Sequence, residues 1–307
     1  MTKRREPVAG TSRRRAIFPF IRDFRSLLFK SFIGFLILSS GTALGFDVAL
    51  KVSCGVSLMR FNEINGNLDG WTEFRKKEAA STSGWTFDGG KVRAFKQGFD
   101  FEGEILFIFS RRLALSVGSG YSYTEITEGQ AELTVSKSGV PYLYCRPTKV
   151  SAHPLIISAY HYLPLGRALQ VYIKGGAGLL WAKYVDREAT KKTTDERFTY
   201  PFFQSASGRG AVLQAGLGIK YDSDPTLGFF IEAAVRKASV KSLVGETRQG
   251  EKGPLYYYEE LSPSLELWQP KVQVKESEPA GESFRSVRKA VVDLSGFILK
   301  LGVHLKF

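Results

Sequence analysis

The sequence of 307 residues predicts an all-β protein: a transmembrane, antiparallel, up-and-down β-barrel of eight strands, with short periplasmic turns and long extracellular loops. Three observations predict this class: apolar residues recur at every second position, the two faces of each segment differ in composition, and short connections alternate with long ones. A two-residue period indicates strands, because helices repeat their apolar positions every three to four residues. The predicted strands span residues 47–60, 99–110, 113–126, 150–163, 168–183, 208–221, 226–240 and 290–307.

The two faces of these segments differ in a way that a soluble β-sandwich does not require. In the last segment Phe297 and Leu299 share one face, whereas Lys300 lies on the other. In most segments one face is aliphatic and aromatic, and the opposite face combines glycine with charges of both signs. Small residues fit the crowded inside of a narrow closed barrel. Only the fourth segment, interrupted by Pro154, leaves open which face is which.

The connections alternate in length, as they do in transmembrane barrels. The short ones are "RR", "PLGR" and "SDPT", and the long loops cover residues 61–98, 127–149, 184–207 and 241–289. An extra membrane hairpin within these loops, which would give ten strands, stays open. Aromatic residues near strand ends fit the interfacial girdles of such barrels; they are Phe99, Tyr121, Tyr123, Tyr160, Tyr162, Trp181 and Tyr221.

Residues 1–45 are predicted to be a cleaved export signal, which leaves residues 46–307 to form the barrel. A basic stretch precedes the apolar run at 31–40, and "GTALG" then supplies small residues for cleavage before Phe46. The apolar run is too short to cross about 30 Å of hydrocarbon as a helix, which disfavours a membrane anchor. The distance from the arginines at 13–15 to the apolar run disfavours a twin-arginine signal, and a true start further downstream stays open.

The net charge of +13 does not indicate nucleic-acid binding. The first 45 residues carry nine Lys or Arg and two Asp or Glu, so the remaining chain has 34 basic and 28 acidic residues with both signs interspersed. A nucleic-acid footprint would gather its charge on one face. The two cysteines, Cys54 and Cys145, lie in a strand and near a loop, which favours unpaired thiols without deciding the matter. No metal-ligand spacing is present, and no cofactor is expected.

The charged residues on the glycine-rich face are predicted to form a polar network inside the barrel. Unpaired buried charges are costly, so acids and cations in a narrow interior are expected to pair. The packed interior would then plug the barrel; the alternative is a narrow path for ions or small solutes. The predicted network comprises Lys51, Asp100, Glu102, Glu104, Lys174, Lys220, Glu232, Arg236, Lys300 and His304.

With its export signal, eight amphipathic segments, three short turns and C-terminal "FILKLGVHLKF", the chain resembles the OmpA/OmpX-like family of eight-stranded outer-membrane β-barrels. The resemblance implies an outer-membrane location, contact with outer-membrane lipid and lipopolysaccharide, and biogenesis through periplasmic chaperones and the barrel-assembly machinery. It also implies that the last strand is the insertion signal that this machinery reads. The residues matching that signal are Phe297, Leu299, Leu301, Val303, Leu305 and Phe307.

The function expected from these features is binding of an unknown extracellular ligand, adhesion, or envelope integrity, by a monomer acting through its long loops. Residues 70–95 and 254–276 mix aromatic side chains with both charges, which suits a binding surface. A narrow channel is the alternative. An enzyme that modifies lipid A is less favoured, because it needs a serine activated by a histidine, and His153 follows Ser151 in the reverse order of the expected motif.

Overall fold

The computed structural model describes residues 46–195 and 197–307, and the predicted export signal at 1–45 lies outside them. Strands dominate, and one long helix, α1, spans Asn62–Ser81. Among the described residues, no helix is both long enough and apolar enough to cross a membrane. The strands are β1 Asp47–Met59, β2 Trp85–Val92, β3 Gln97–Ile108, β4 Leu113–Ile126, β5 Ala131–Lys137, β6 Val140–Cys145, β7 Thr148–Pro164, β8 Leu169–Lys192, β9 Thr199–Asp222, β10 Leu227–Val240, β11 Val244–Thr247, β12 Lys252–Ser262, β13 Leu267–Val274, β14 Phe284–Lys289, β15 Val292–Asp293 and β16 Gly296–Lys306.

Eight of these strands pair in an antiparallel circuit that returns to its start, which we call the closed sheet. Around the circuit, β1 pairs with β3, β3 with β4, β4 with β7, and β7 with β8. The circuit continues from β8 to β9, β10 and β16, and β16 pairs with β1. Each of the eight overlaps one predicted strand, and β4 has the predicted bounds.

The predicted long loops are largely regular structure, and so the sheet contains sixteen strands where eight were predicted. The four loop regions contain α1, several shorter strands, and extensions of β8 and β9 that continue pairing as far as Thr190 and Thr199. We call this assembly the head: α1, β2, β5, β6, β11 to β14, and residues 184–192 and 199–207. It lies at the end of the closed sheet opposite the short turns at 109–112, 165–168 and 223–226.

Helix α1 was not predicted from the sequence, because its apolar stripe is narrow. Ile64, Leu68 and Trp71 are buried at spacings of three to four residues, but glycines and charges separate them. These side chains pack with those of β5, β12 and β13, and with inward residues at the outer ends of β7 to β10, to form one apolar core. The loops therefore bury apolar surface of their own, which is what stabilises regular structure outside the closed sheet.

The closed sheet is apolar outside and polar inside for most of its length. Ile231 is 62% exposed, whereas the next residue, Glu232, is completely buried. The ambiguous fourth segment follows the same rule, with Ile157 outside and Tyr160 inside. The girdle assignment of Tyr160 and Tyr162 is therefore wrong, because both rings point inward and pack against Tyr172.

Glycines on the inward face make room for these large side chains. A Cβ atom at Gly218 would lie 2.2 Å from Cζ of Tyr172, and one at Gly302 would lie 2.7 Å from Cζ of Phe230. Neither ring could stay in place beside a larger residue, because protein interiors are close-packed. The glycine-rich face is thus the crowded inner face.

Candidate functional site

The first candidate site is a charged cluster inside the closed sheet. We call it the lysine–glutamate cluster; it consists of three lysines and three glutamates, all buried or nearly so: Lys51, Lys174, Lys300, Glu102, Glu104 and Glu232. Strand register brings them together, because Lys51 lies opposite Glu104 across β1 and β3, and Glu232 lies opposite Lys300 across β10 and β16. The chain therefore places equal numbers of each charge in one layer.

Each lysine of the cluster contacts more than one carboxylate. Lys51 Nζ lies 2.5 Å from Glu232 Oε2 and 3.4 Å from Glu104 Oε1. Lys174 Nζ lies 2.8 Å from Glu102 Oε1 and 2.9 Å from Glu104 Oε1. Lys300 Nζ contacts Glu102 and lies 3.7 Å from Glu232 Oε1. Every charge thus has a partner of opposite sign, which a buried charge requires.

Two tyrosines complete the cluster. The hydroxyl of Tyr160 donates to Glu104 Oε2 at 2.6 Å, and that of Tyr172 donates to Glu232 Oε2 at 2.9 Å. Lys51 Nζ also lies 4.2 Å from the ring centroid of Phe230, within the range of a cation–π contact. The aromatic rings and the ion pairs fill this layer together.

The other predicted interior residues lie outside this cluster. Arg236 Nη1 donates to Asp100 Oδ1 at 2.8 Å and to the hydroxyl of Ser122 at 3.0 Å. Lys220 Nζ lies 3.2 Å from Asp222, near the short turns. His304 is buried, and neither ring nitrogen has a hydrogen-bond partner among the described residues.

Sequence reasoning missed several members of these networks. The prediction places Tyr160 in the girdle, and it omits Asp222, which lies just beyond the predicted strand at 208–221. Tyr172 could have been predicted to face the interior, because it lies two positions before Lys174 on the same face of β8. No group of three or more His, Cys, Asp or Glu in residues 46–195 and 197–307 could hold a metal ion.

The three histidines do not come together, whereas Ser151 and His153 share the outward face of β7. His153 lies on the outer face of β7, where its ring centroid is 4.8 Å from that of Tyr121. His161 is exposed further along the same strand, and His304 is inside the closed sheet. The thiols of Cys54 and Cys145 are both free, the first exposed and the second buried. Burial and the nearby carboxylate of Glu132 raise the pKa of the Cys145 thiol to about 12.

Another buried ion pair, that of Arg146 and Asp186, lies at the base of the head. Arg146 donates from Nη2 to Asp186 Oδ2 at 2.8 Å and from Nε to Oδ1 at 3.2 Å. Thr148 and Gln204 also donate to Asp186, at 3.0 and 3.3 Å. Burial alone would lower the pKa of Arg146, but the carboxylate of Asp186 holds that pKa above its usual value. Through Asp186, these contacts join the segment that follows β6, and β9, to β8.

The second candidate site is a cavity of about 380 Å³ in the head, which we call the head cavity. Its volume falls in the range of small-molecule sites. Both loop segments that the sequence analysis considered for binding, 70–95 and 254–276, contribute to its wall. The lining residues are Trp71, Phe74, Arg75, Arg146, Glu188, Phe202, Glu260, Leu261, Ser262, Pro263, Gln269, Lys271 and Gln273.

Comparison with known proteins gives structural likenesses only. No protein-family model and no curated protein sequence matches the chain. The solved structures that it resembles are outer-membrane β-barrel proteins.

Three of these structures come from different bacteria. The outer membrane protein OprG from Pseudomonas aeruginosa is 12% identical with a TM-score of 0.38, over 86% of this chain and 96% of OprG. Ail, the attachment invasion locus protein of Yersinia pestis, solved with the heparin analogue sucrose octasulfate, is 11% identical with a TM-score of 0.32, over 85% of this chain and 99% of Ail. A major outer membrane protein from Thermus thermophilus is 12% identical with a TM-score of 0.36, over 85% of this chain and 99% of that protein.

Proposed function

We propose that this protein is an exported, monomeric, eight-stranded outer-membrane β-barrel with a plugged interior, and that it binds an extracellular ligand through its head. The observation that carries the proposal is the combination of a filled interior with a folded head that contains a cavity. The narrow channel is the alternative function. An enzyme that modifies lipid A stays the less favoured alternative, because Ser151 and His153 share the outward face of β7 but stand in the reverse order of the expected motif.

The outer face of the closed sheet supports placement in a membrane. Its exposed side chains form a band of large apolar residues, which a protein in water would not leave uncovered. A lipid-facing apolar band over a polar interior is the arrangement of transmembrane barrels. Representative members of the band are Val56, Phe101, Val117, Ile157, Ile173, Leu217, Ile231 and Leu299.

A charge in the middle of this band tests the membrane placement. We expect Ile231→Arg to lower the free energy of unfolding in phospholipid bilayers by about 2–4 kcal/mol, because the guanidinium would enter hydrocarbon. Tyr221→Arg, at the end of β9, is the matched control and should cost no more than about 1 kcal/mol. Guanidinium titration of the protein refolded in vesicles measures both values. Two equally small costs would contradict the proposed span.

The filled interior supports a plugged barrel rather than a channel. An eight-stranded barrel leaves little space beyond that taken by its own side chains. Here the lysine–glutamate cluster occupies one layer, and the apolar core that joins α1 to the inward residues at the outer ends of β7 to β10 closes the end nearest the head. We therefore expect the purified protein to give no resolved openings in planar bilayers at moderate voltage. Steady single-channel currents would favour the channel instead.

The head is proposed to face the outside of the cell, where it can meet a ligand. Gln249 lies in the exposed turn between β11 and β12, so Gln249→Cys should react with a membrane-impermeant maleimide on intact cells. The variant also carries Cys54→Ser, because the Cys54 thiol is exposed, and the buried Cys145, with its raised thiol pKa, should stay unlabelled and leave a low background. Labelling only after cell lysis would place the head on the wrong side of the membrane.

Lipid, lipopolysaccharide and the assembly machinery are the other proposed partners. Lys183, Arg209 and Lys237 are exposed on the outer face of three neighbouring strands, beyond the apolar band, where phosphate groups of lipopolysaccharide would lie. The six residues of the proposed insertion signal all lie on the outward face of β16 or directly after it, and Val303 and Leu305 among them are partly covered.

A further inference from the structure

We propose that the head cavity binds a neutral saccharide, either a free sugar or one unit of a larger glycan. This inference rests on the proposed function, since it names the class of ligand for the head. Three properties of the cavity wall carry it: its charges are compensated, several of its buried polar groups lack partners, and aromatic rings lie among them.

The charges in the wall are already compensated by one another. Arg75 contacts Glu188, Lys271 contacts Glu260, and Arg146 is held by Asp186. With Asp186 counted beside Arg146, three cations face three carboxylates, so neither an anion nor a cation gains a net attraction from them. The wall therefore carries no excess charge that would recognise an ion, and it favours a neutral ligand.

The same wall has hydrogen-bonding capacity that the protein does not use. Gln269 is only 6% exposed, lines the cavity, and its carboxamide makes no hydrogen bond to a described residue. Trp71 Nε1 and Arg75 Nε are buried and also have no acceptor among the described residues. Buried polar groups normally have partners, because leaving one unpaired is costly. A ligand with several hydroxyl groups can donate to the carboxamide oxygen of Gln269 and accept from its NH2 group, and the two buried N–H groups show how few acceptors the protein itself supplies here.

Aromatic rings in the cavity wall supply the apolar contacts that a sugar ring needs. Trp71, Phe74 and Phe202 line the cavity together with these polar groups. A pyranose ring presents C–H groups on its faces and hydroxyl groups around its edge, so it needs apolar and polar contacts at the same time. The faces of aromatic side chains provide large apolar contact area. A volume of about 380 Å³ accommodates one or two sugar rings.

Saturation-transfer NMR on the full chain tests the proposal. The protein is refolded in dodecylphosphocholine, because glucoside and maltoside detergents would compete for the site. Lactose, maltose, cellobiose and N,N′-diacetylchitobiose are the neutral probes, and glucuronic acid is the anionic one. We expect saturation transfer to at least one neutral disaccharide, with a dissociation constant on the order of 1 mM or tighter. No transfer to any neutral probe, or transfer to glucuronic acid alone, would overturn the proposal.

Matched variants locate the binding. Phe202→Ala and Gln269→Ala should each weaken sugar binding about tenfold or more, because the first removes an aromatic contact and the second a hydrogen-bonding carboxamide. Phe203→Ala is the control for the first, because Phe203 lies next along β9 but does not line the cavity. Gln249→Ala, in the exposed turn, is the control for the second. Heat-modifiable migration on a gel verifies folding of all four, and unchanged binding in both folded cavity variants would refute the site.

The outcome separates this inference from the proposed function. If the head is labelled on intact cells and the barrel does not conduct, but no neutral sugar binds, only the ligand class fails. If Gln249→Cys is not labelled from outside, the proposed function fails whatever the sugars do.

Discussion

Replacing Lys174 with methionine is expected to lower the free energy of unfolding by about 3–5 kcal/mol. Methionine keeps most of the side-chain volume, so the substitution removes the charge with little loss of packing. Lys174 Nζ lies within 3.8 Å of three carboxylates, those of Glu102, Glu104 and Glu232. Without it, two cations remain for three buried anions, and removing one partner of a buried ion pair leaves an uncompensated charge.

The same strand provides the control for this prediction. Lys183 faces outward from β8 and is exposed, so Lys183→Met should change stability by no more than about 0.5 kcal/mol. Urea unfolding of both variants in dodecylphosphocholine micelles, followed by heat-modifiable migration, compares them directly. Similar small losses for the two variants would mean that water reaches the cluster, and the plugged interior would then be wrong.

Replacing Asp186 with alanine should destabilise the head by about 3–5 kcal/mol, because it leaves the buried guanidinium of Arg146 without its carboxylate. Thr148 and Gln204 would lose an acceptor as well. The effect should be confined largely to the head, since the lysine–glutamate cluster is untouched. Limited proteolysis should therefore cut within the head under conditions in which the closed sheet still migrates as folded protein.

An exposed ion pair of the head is the reference for that loss. Glu246 Oε2 lies 3.9 Å from Lys252 Nζ, and both side chains are mostly exposed. Glu246→Ala should cost no more than about 1 kcal/mol, because water screens such pairs. Equal sensitivity of Glu246→Ala and Asp186→Ala to protease would show that the Arg146–Asp186 pair does not hold the head together.

The strands of the closed sheet could be predicted from the sequence because their signal is local. Ile231 is exposed and the next residue, Glu232, is buried, and this alternation is visible in the sequence as apolar and charged residues at successive positions. The same alternation predicts most of the charged residues of the interior. Two-residue periodicity holds wherever one face meets an apolar medium and the other a polar interior. The fourth segment is ambiguous because Pro154 interrupts it, and because the inward Ile156 and Tyr160 are as large as the residues facing outward.

The pairings and the head could not be predicted, because they depend on contacts between distant positions. Lys51 and Glu232 are 181 positions apart, and Asn67 accepts a hydrogen bond from the backbone of Val272, 205 positions away. Polar residues within α1, such as Asn67, hide its apolar stripe until the partner strands are known. The wall of the head cavity likewise joins side chains from α1, β8, β9, β12 and β13.

The closed sheet is completed where β1, its first strand, pairs with β16, its last, and this pairing constrains the order in which the chain can fold. We call it the seam. Lys51 comes from β1 and Lys300 from β16, while their carboxylates come from β3 and β10. The cluster therefore cannot be neutralised until strands from the beginning and the end of the closed sheet have met. Contacts so distant in sequence form slowly, because the intervening chain must be ordered first. In the proposed membrane location, a half-assembled sheet would expose unmatched lysines and glutamates to hydrocarbon, so we expect crossing the bilayer and forming the seam to be a single concerted event.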